Sequence, residues 1–367
     1  MYRRLNKDII ISLMLFMLIS IITINSSMLY LSKSLGNLAL KQATWYMIGT
    51  ILIFIIINNN NNKLIIPFYF LNIFLLSILL IVGEPINGSK CWFIIPKIGS
   101  IQPSEFMKIA IILTISLYIS KWEINNNKMN LKKELKLLLT VFTILLLPTI
   151  LTFLEPDTGA IIIYLVITLT ILWTSPLRKR WFIILLIITI TLLSLFLYLY
   201  FQQQKLFIDT FGTDLFYRID RLLDWKNGTG MQLENALTSI SSAGIFGHGY
   251  LKTPIYFPES GTDFIFAVYA SNFGLIGSIL LLILLIYFDI TLINIAKRCK
   301  KSNDKYIITG TIGMLLYQQI QNIGMTIGVL PITGITLPFI SYGGSSLLSY
   351  LLIIGIILKI DSKKYIN

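Results

Sequence analysis

The sequence predicts an all-α integral membrane protein: ten transmembrane helices, with a large extracytoplasmic loop between the seventh and eighth. Three observations predict it. The 367 residues are 55% hydrophobic and only 13% charged, with a mean hydropathy of +0.78. The apolar residues gather in runs close to the roughly 20 residues that a helix needs to cross a bilayer core. The basic residues between those runs are sorted by side.

The runs lie near 9–30, 43–59, 64–82, 104–120, 138–154, 159–175, 181–201, 263–295, 306–330 and 344–360. The first is too long for a signal-peptide core and lacks a small-residue cleavage site, so it reads as an uncleaved span. The eighth is long enough to include an extension at the membrane surface. Most runs are apolar all round, so periodicity does not choose their packing faces. Ten spans put both termini on one side. That side carries 20 of the 30 basic residues, the opposite side nine, and Lys108 lies within a span. An excess of Lys and Arg marks the cytoplasmic side. Both termini are therefore expected in the cytoplasm of a bacterial-type, multi-pass cell-membrane protein. The formal charge of +13 is accounted for by this topology and by anionic membrane lipids, so nucleic acid is not an expected partner.

Residues 1–367 read as one polytopic domain, without an evident internal repeat. Residues 202–262 form the large outer loop, with six of the chain's 17 acids. Long ordered loops are usually functional. Within it Phe216, Ile219, Leu222 and Leu223 recur at helical spacing with Arg218, Asp220 and Arg221 between them, the pattern of an interfacial amphipathic helix. The two cysteines, Cys91 and Cys299, fall in loops on opposite sides. With His248 as the single histidine, no zinc or redox-metal set can be assembled. No cofactor is certain; an oxygen-ligated Mg²⁺ or other divalent cation stays open.

The candidate functional residues follow from charge at membrane depth. Asp263 stands where the long polar loop gives way to an apolar run. It is read either as a general base at the membrane–water boundary or as a first-turn helix residue favoured by the macrodipole; the two roles are compatible. Glu105 and Lys108 are three apart and share a helix face, as an intramembrane ion pair or as a snorkelling lysine with a surface partner. Glu155-Pro156-Asp157-Thr158-Gly159 is good turn chemistry, yet Glu155 and Asp157 could also line an outer site, as could Glu259. Arg218 and Arg221 share a face suited to phosphate oxygens or lipid headgroups. The uncharged stretch 330–345 carries Pro338, Ser341, Tyr342, Gly343 and Gly344. Broken backbone at membrane depth must be buried or line a cavity, so it is a candidate wall of the site.

Taken in order, these motifs resemble the SEDS family (shape, elongation, division and sporulation). They are Gln102-Pro103-Ser104-Glu105 with Lys108, Glu155-Pro156-Asp157-x-Gly159, Tyr217-Arg218-x-x-Arg221, Pro258-Glu259-x-x-Thr262-Asp263-Phe264-Ile265-Phe266-Ala267, Asn322-Ile323-Gly324-Met325 and Pro338-Phe339-Ile340-Ser341-Tyr342-Gly343-Gly344-Ser345. The resemblance implies a ten-helix peptidoglycan glycosyltransferase that polymerises lipid II. It implies Asp263 as the catalytic aspartate, Glu105 and Lys108 as the ion pair inside the bundle, and a class B penicillin-binding protein, a transpeptidase, as partner. The chain departs from the family pattern at Cys91, where an Arg is usual, and at Asn235-Ala236, where Gln-Ser is common. The loop between Trp225 and Gly230 also looks shortened. Other readings are a flippase for lipid-linked precursors and a non-catalytic scaffold for the transpeptidase. The sequence leaves open whether the role is in elongation, division or sporulation.

Overall fold

The computed structural model describes residues 5–28, 37–59, 62–83, 90–95, 99–125, 130–213, 216 and 231–362. Twelve α-helices are present among them: α1 (Lys7–Ser27), α2 (Leu38–Asn58), α3 (Ile65–Val82), α4 (Pro103–Asn125), α5 (Leu131–Leu154), α6 (Thr158–Thr174), α7 (Arg180–Gln202), α8 (Gln204–Phe211), α9 (Met231–Ser241), α10 (Ile265–Arg298), α11 (Ser302–Thr326) and α12 (Gly344–Ser362). Several starts are written in the sequence. Asn6, Asn37 and Asp157 each accept backbone N–H groups of the following turn, satisfying donors that a helix start leaves open.

Among the described residues, α1, α2, α3, α4, α5, α7, α10 and α12 are long and apolar enough to cross a membrane. α6 is apolar but has 17 residues. α11 has 25 residues and is interrupted by amides, Gln318, Gln319, Gln321 and Asn322 among them. It is nonetheless deep in the bundle, packed against α4, α6 and α10. α12 packs on α2 and α4, and α3 on α4 and α5. The core is therefore built around α4, α11 and α12.

Two features were not expected from the sequence. A short antiparallel hairpin, β1 (Phe93–Ile95) with β2 (Gly99–Ile101), pairs Phe93 with Ile101 and Ile95 with Gly99 just before α4. Ser345 at the start of α12 holds it: its Oγ donates to Ser100 O at 3.1 Å and accepts from Gln102 N at 3.0 Å. The second is a break in α10. The expected span 263–295 is a helix beginning at Ile265, and Gly274 adopts φ 63°, ψ −160°. This is a conformation that favours glycine. The loop 244–249 inserts its backbone at the break. His248 N and Gly249 N donate to Ser271 O and Asn272 O, and Leu275 N and Ile276 N donate to Gly244 O and Ile245 O. Backbone groups that the break would orphan are thereby paired. The short N-terminal half of α10 is buried, and α9 packs on it through Leu233 and Ala236 against Phe264, Ala267 and Val268.

α7 contrasts with the rest. No residue of its most apolar stretch is buried. It is joined to the bundle at its start, where buried Glu134 of α5 accepts from Arg178 Nε at 2.6 Å, Arg180 at 3.1 Å and Trp181 Nε1 at 2.9 Å. At its other end Phe196 and Tyr200 pack on Phe207 of α8.

Candidate active site

Asp263 lies on the turn that delivers the chain into the half-helix of α10. Glu259, at φ 54°, starts this turn, and its carbonyl accepts from Thr262 N and Phe264 N. The exposed Glu259 carboxylate accepts from Thr262 Oγ1 at 2.5 Å. The backbone around Asp263 is clamped from the opposite side by the non-helical segment between α11 and α12. Asn322 Nδ2 of α11 donates to Asp263 O and to Ile335 O, both at 2.7 Å. Ser341 Oγ donates to Thr262 O at 2.6 Å, while Tyr342 N donates to Gly261 O at 2.9 Å. Ser341 Oγ also accepts from Leu337 N at 2.8 Å. The carboxylate is thus set by a rigid backbone that two elements hold. Burial, together with the charge of nearby Glu259, pushes the Asp263 carboxyl up to about 7. A carboxylate at that value is matched to proton transfer near neutrality.

The segment carrying Pro338, Ser341, Tyr342, Gly343 and Gly344 is itself tied inward. Tyr46 OH donates to Phe339 O at 2.5 Å, Ser20 Oγ to Ile340 O at 2.7 Å and Gln42 Nε2 to Ser341 O at 3.1 Å. Gly343 N donates to Gln42 Oε1 at 3.4 Å. Non-helical backbone at this depth is stable because side chains of α1 and α2 complete its hydrogen bonds.

Behind this wall lies the second charged group. Lys108 Nζ is 2.5 Å from Glu105 Oε2; the Lys108 side chain is fully buried and that of Glu105 is 13% exposed. Lys108 also sits 5.6 Å from the centroid of Tyr350, a cation–π contact in a dry setting. Tyr350 OH accepts from Gln318 Nε2 at 2.7 Å. Gln318 and Asn322 are one turn apart on α11. A polar path therefore runs from the Asp263 backbone through Asn322, Gln318 and Tyr350 to the ion pair, with Asn322 Oδ1 and Gln318 Oε1 left without hydrogen-bond partners among the described residues.

A match to the FtsW/RodA/SpoVE family of cell cycle proteins extends over residues 6–366. The chain belongs to this family. It is 35% identical over 308 residues to a protein of Coxiella burnetii named probable peptidoglycan glycosyltransferase FtsW, covering 80% of this chain and 77% of that one. It is 30% identical over 312 residues to stage V sporulation protein E of Bacillus subtilis, covering 78% and 76%. A solved chain from a peptidoglycan synthase complex, studied for the coordination of polymerization and crosslinking, superposes with a TM-score of 0.81 at 22% identity, covering 100% of both chains. That likeness concerns the fold. With its several membrane-length helices, this member of the family is a multi-pass membrane protein.

The remaining candidates divide. Asp157 is fully engaged: Oδ1 accepts from Ala160 N at 3.0 Å, and Oδ2 from Gln102 Nε2 and Ser104 Oγ, both at 2.9 Å. It caps α6 and joins it to the start of α4. Glu155, two residues earlier, is buried with no partner for either carboxylate oxygen among the described residues. Burial, then the Asp157 charge, pushes its carboxyl up to about 8. Cys91 Sγ donates to Glu155 O at 3.0 Å, and Asn235 Nδ2 to Tyr256 O at 2.9 Å, so both departures from the family pattern hold backbone in place. Arg218, Arg221 and the expected surface helix lie outside the described residues. Among the described residues no group of three or more His, Cys, Asp or Glu side chains is arranged to hold a metal ion. Sequence reading missed Gln318 and Tyr350 as members of the polar path. The signal was present: four amides within five residues of a bundle helix.

Proposed function

We propose that this protein is a peptidoglycan glycosyltransferase that polymerises lipid II at the outer face of the cytoplasmic membrane. The observation that carries the reading is Asp263: a carboxylate raised to about 7 on a clamped turn at the mouth of the bundle, in a chain of this family. In this reading the fold has ten spans, with α6 and α11 added to the eight apolar helices, and residues 202–262 form the outer loop. Both termini are cytoplasmic. A class B penicillin-binding protein is the partner, and the name of the Coxiella burnetii relative supports the activity.

The donor's sugar is α-linked to a lipid pyrophosphate, and a β-linked product requires one inversion. Asp263 Oδ takes the proton from the acceptor sugar hydroxyl as its oxygen attacks the anomeric carbon. The anomeric C–O bond breaks, and the lipid pyrophosphate leaves with the bonding pair. No covalent enzyme intermediate is needed, because one direct displacement gives the inversion, and no general acid is needed, because pyrophosphate is already a good leaving group. Arg218 and Arg221 are the residues assigned to its developing charge, and Glu259 is the charge beside Asp263. Mg²⁺ commonly binds through one or two carboxylates together with substrate phosphates; the exposed Glu259 carboxylate would hold such a cation, which would supply charge stabilisation to the departing pyrophosphate and leave Asp263 as the base. The Glu105–Lys108 pair supports the wall from within.

Asp263→Asn, which preserves shape, is expected to lower polymer formation from purified lipid II by at least about a thousandfold, with an unchanged melting profile. Wild-type-like polymer from this variant would sink the assignment. A flippase has no product to make from lipid II in detergent, and a scaffold would tolerate the substitution.

A further inference from the structure

A groove of about 950 Å³ opens between α7 and the face formed by α6, α10 and α11. Its inner length is apolar, lined by Leu185, Leu186, Ile293, Ile312 and Leu316. From Lys305 to Leu316 it follows α11 for about 16 Å at 1.5 Å per residue, the scale of a phospholipid acyl chain. One end is basic. Lys297 at the end of α10 and Lys305 at the start of α11 line the mouth, and both are exposed. Lys179 is not part of the lining: its Nζ lies 5.1 Å from the centroid of Trp173, which does line the groove. Among the described residues neither Lys297 nor Lys305 forms an ion pair. The nearest acid in sequence, Asp304, lines a different cleft beside Lys359.

The groove does not belong to the candidate active site. Asp263 precedes the N-terminus of α10, and its backbone is held by Asn322 near the C-terminus of α11. Lys297 and Lys305 lie at the opposite ends of the same two helices. An occupant here therefore needs an apolar tail along α11 and an anionic head at the lysines.

We propose that this groove is a binding site for an anionic phospholipid, with the phosphate between Lys297 and Lys305 and one acyl chain laid between α7 and α11. Basic pockets between membrane helices hold acidic headgroups in this way. The lipid would fill the space that otherwise separates α7 from the bundle. The site is independent of the proposed glycosyl transfer and of which end of the bundle faces the cytoplasm.

The test uses the purified full chain in detergent, titrated with phosphatidylglycerol or phosphatidylcholine brominated on the acyl chains. The signal is the quenching of Trp173, taken as the difference between wild type and Trp173→Phe. A lysine near an acidic headgroup contributes about fivefold, so quenching by phosphatidylglycerol should be half-maximal at a mole fraction on the order of twenty-five-fold below phosphatidylcholine. Lys297→Gln with Lys305→Gln should abolish that preference, and each single variant should lose about fivefold. Lys132→Gln with Lys136→Gln, on another face, should retain it. Absence of quenching, equal quenching by the two lipids, or a preference that survives the Lys297/Lys305 substitutions would overturn the proposal.

Discussion

α4 and α7 are each 23 residues long, and both are apolar enough to cross a bilayer. Their fates are opposite. In α4, 72% of the most apolar window is buried; in α7, none is. α7 is the more hydrophobic of the two, carrying no charge after Arg180, whereas α4 contains Glu105 and Lys108. In water the apolar helix would be the interior one. In a bilayer, lipid is as apolar as leucine, and helices meet through packing and polar contacts. The polar helix therefore marks the interior, and the candidate site follows the polar helices.

Four substitutions probe this contrast. The largest effect is expected at Lys108→Ala, which leaves Glu105 without its buried partner. Breaking such a pair costs about 3–5 kcal/mol, read as a fall in melting temperature together with lost polymerisation. Glu105→Gln combined with Lys108→Met should recover most of the stability. If Lys108→Ala melts and polymerises normally, the interior is not organised by the pair.

Next is Glu259→Gln. Activity requires ionised Asp263, so the rate should rise with pH through about 7. Removing the Glu259 charge removes one cause of that elevation, and the acid limb should move to lower pH. An unmoved limb would disconnect Glu259 from the site.

A smaller effect is expected at Glu155→Gln. The folded carboxyl is raised to about 8 from an ordinary 4.5. The fold therefore favours the neutral form, and stability is lost as pH rises from the ordinary value to the folded one. The glutamine variant should melt a few degrees higher than wild type above pH 8 and no higher at pH 4. A gain equal at both values would assign the effect to packing. The smallest change is expected at Leu192→Ala on α7, whose side chain is 60% exposed. It should alter unfolding free energy by less than about 0.5 kcal/mol, and a larger loss would place α7 inside the fold.

Much of this organisation was readable from charge. Lys108 and Glu105 stood out because charge within an apolar run is rare, and the structure places them 2.5 Å apart. The turn reading of Pro156-Asp157-x-Gly159 was legible from its chemistry, and Asp157 does cap α6. Glu155, beside it, was not distinguishable from Asp157, because burial depends on tertiary packing, including Cys91, 64 residues upstream, which bonds its carbonyl. The break at Gly274 was hidden as well. Glycine is common in membrane helices, and its left-handed conformation depends on a loop 25 to 30 residues upstream. The polar path through Gln318 and Tyr350 joins residues far apart in sequence on two helices, and no local pattern pairs them.

The break in α10 has a mechanical consequence. An unbroken helix of 34 residues would extend about 51 Å, well beyond a hydrocarbon core of about 30 Å. Any tilt imposed by bilayer thickness would then be carried straight to its N-terminus. With Gly274 as a joint, residues 275–298 span about 36 Å and take up the mismatch alone. The half-helix behind Asp263 answers to α9, Asn322 and Ser341 instead. The position of the carboxylate is thereby insulated from the thickness of the membrane in which the protein sits.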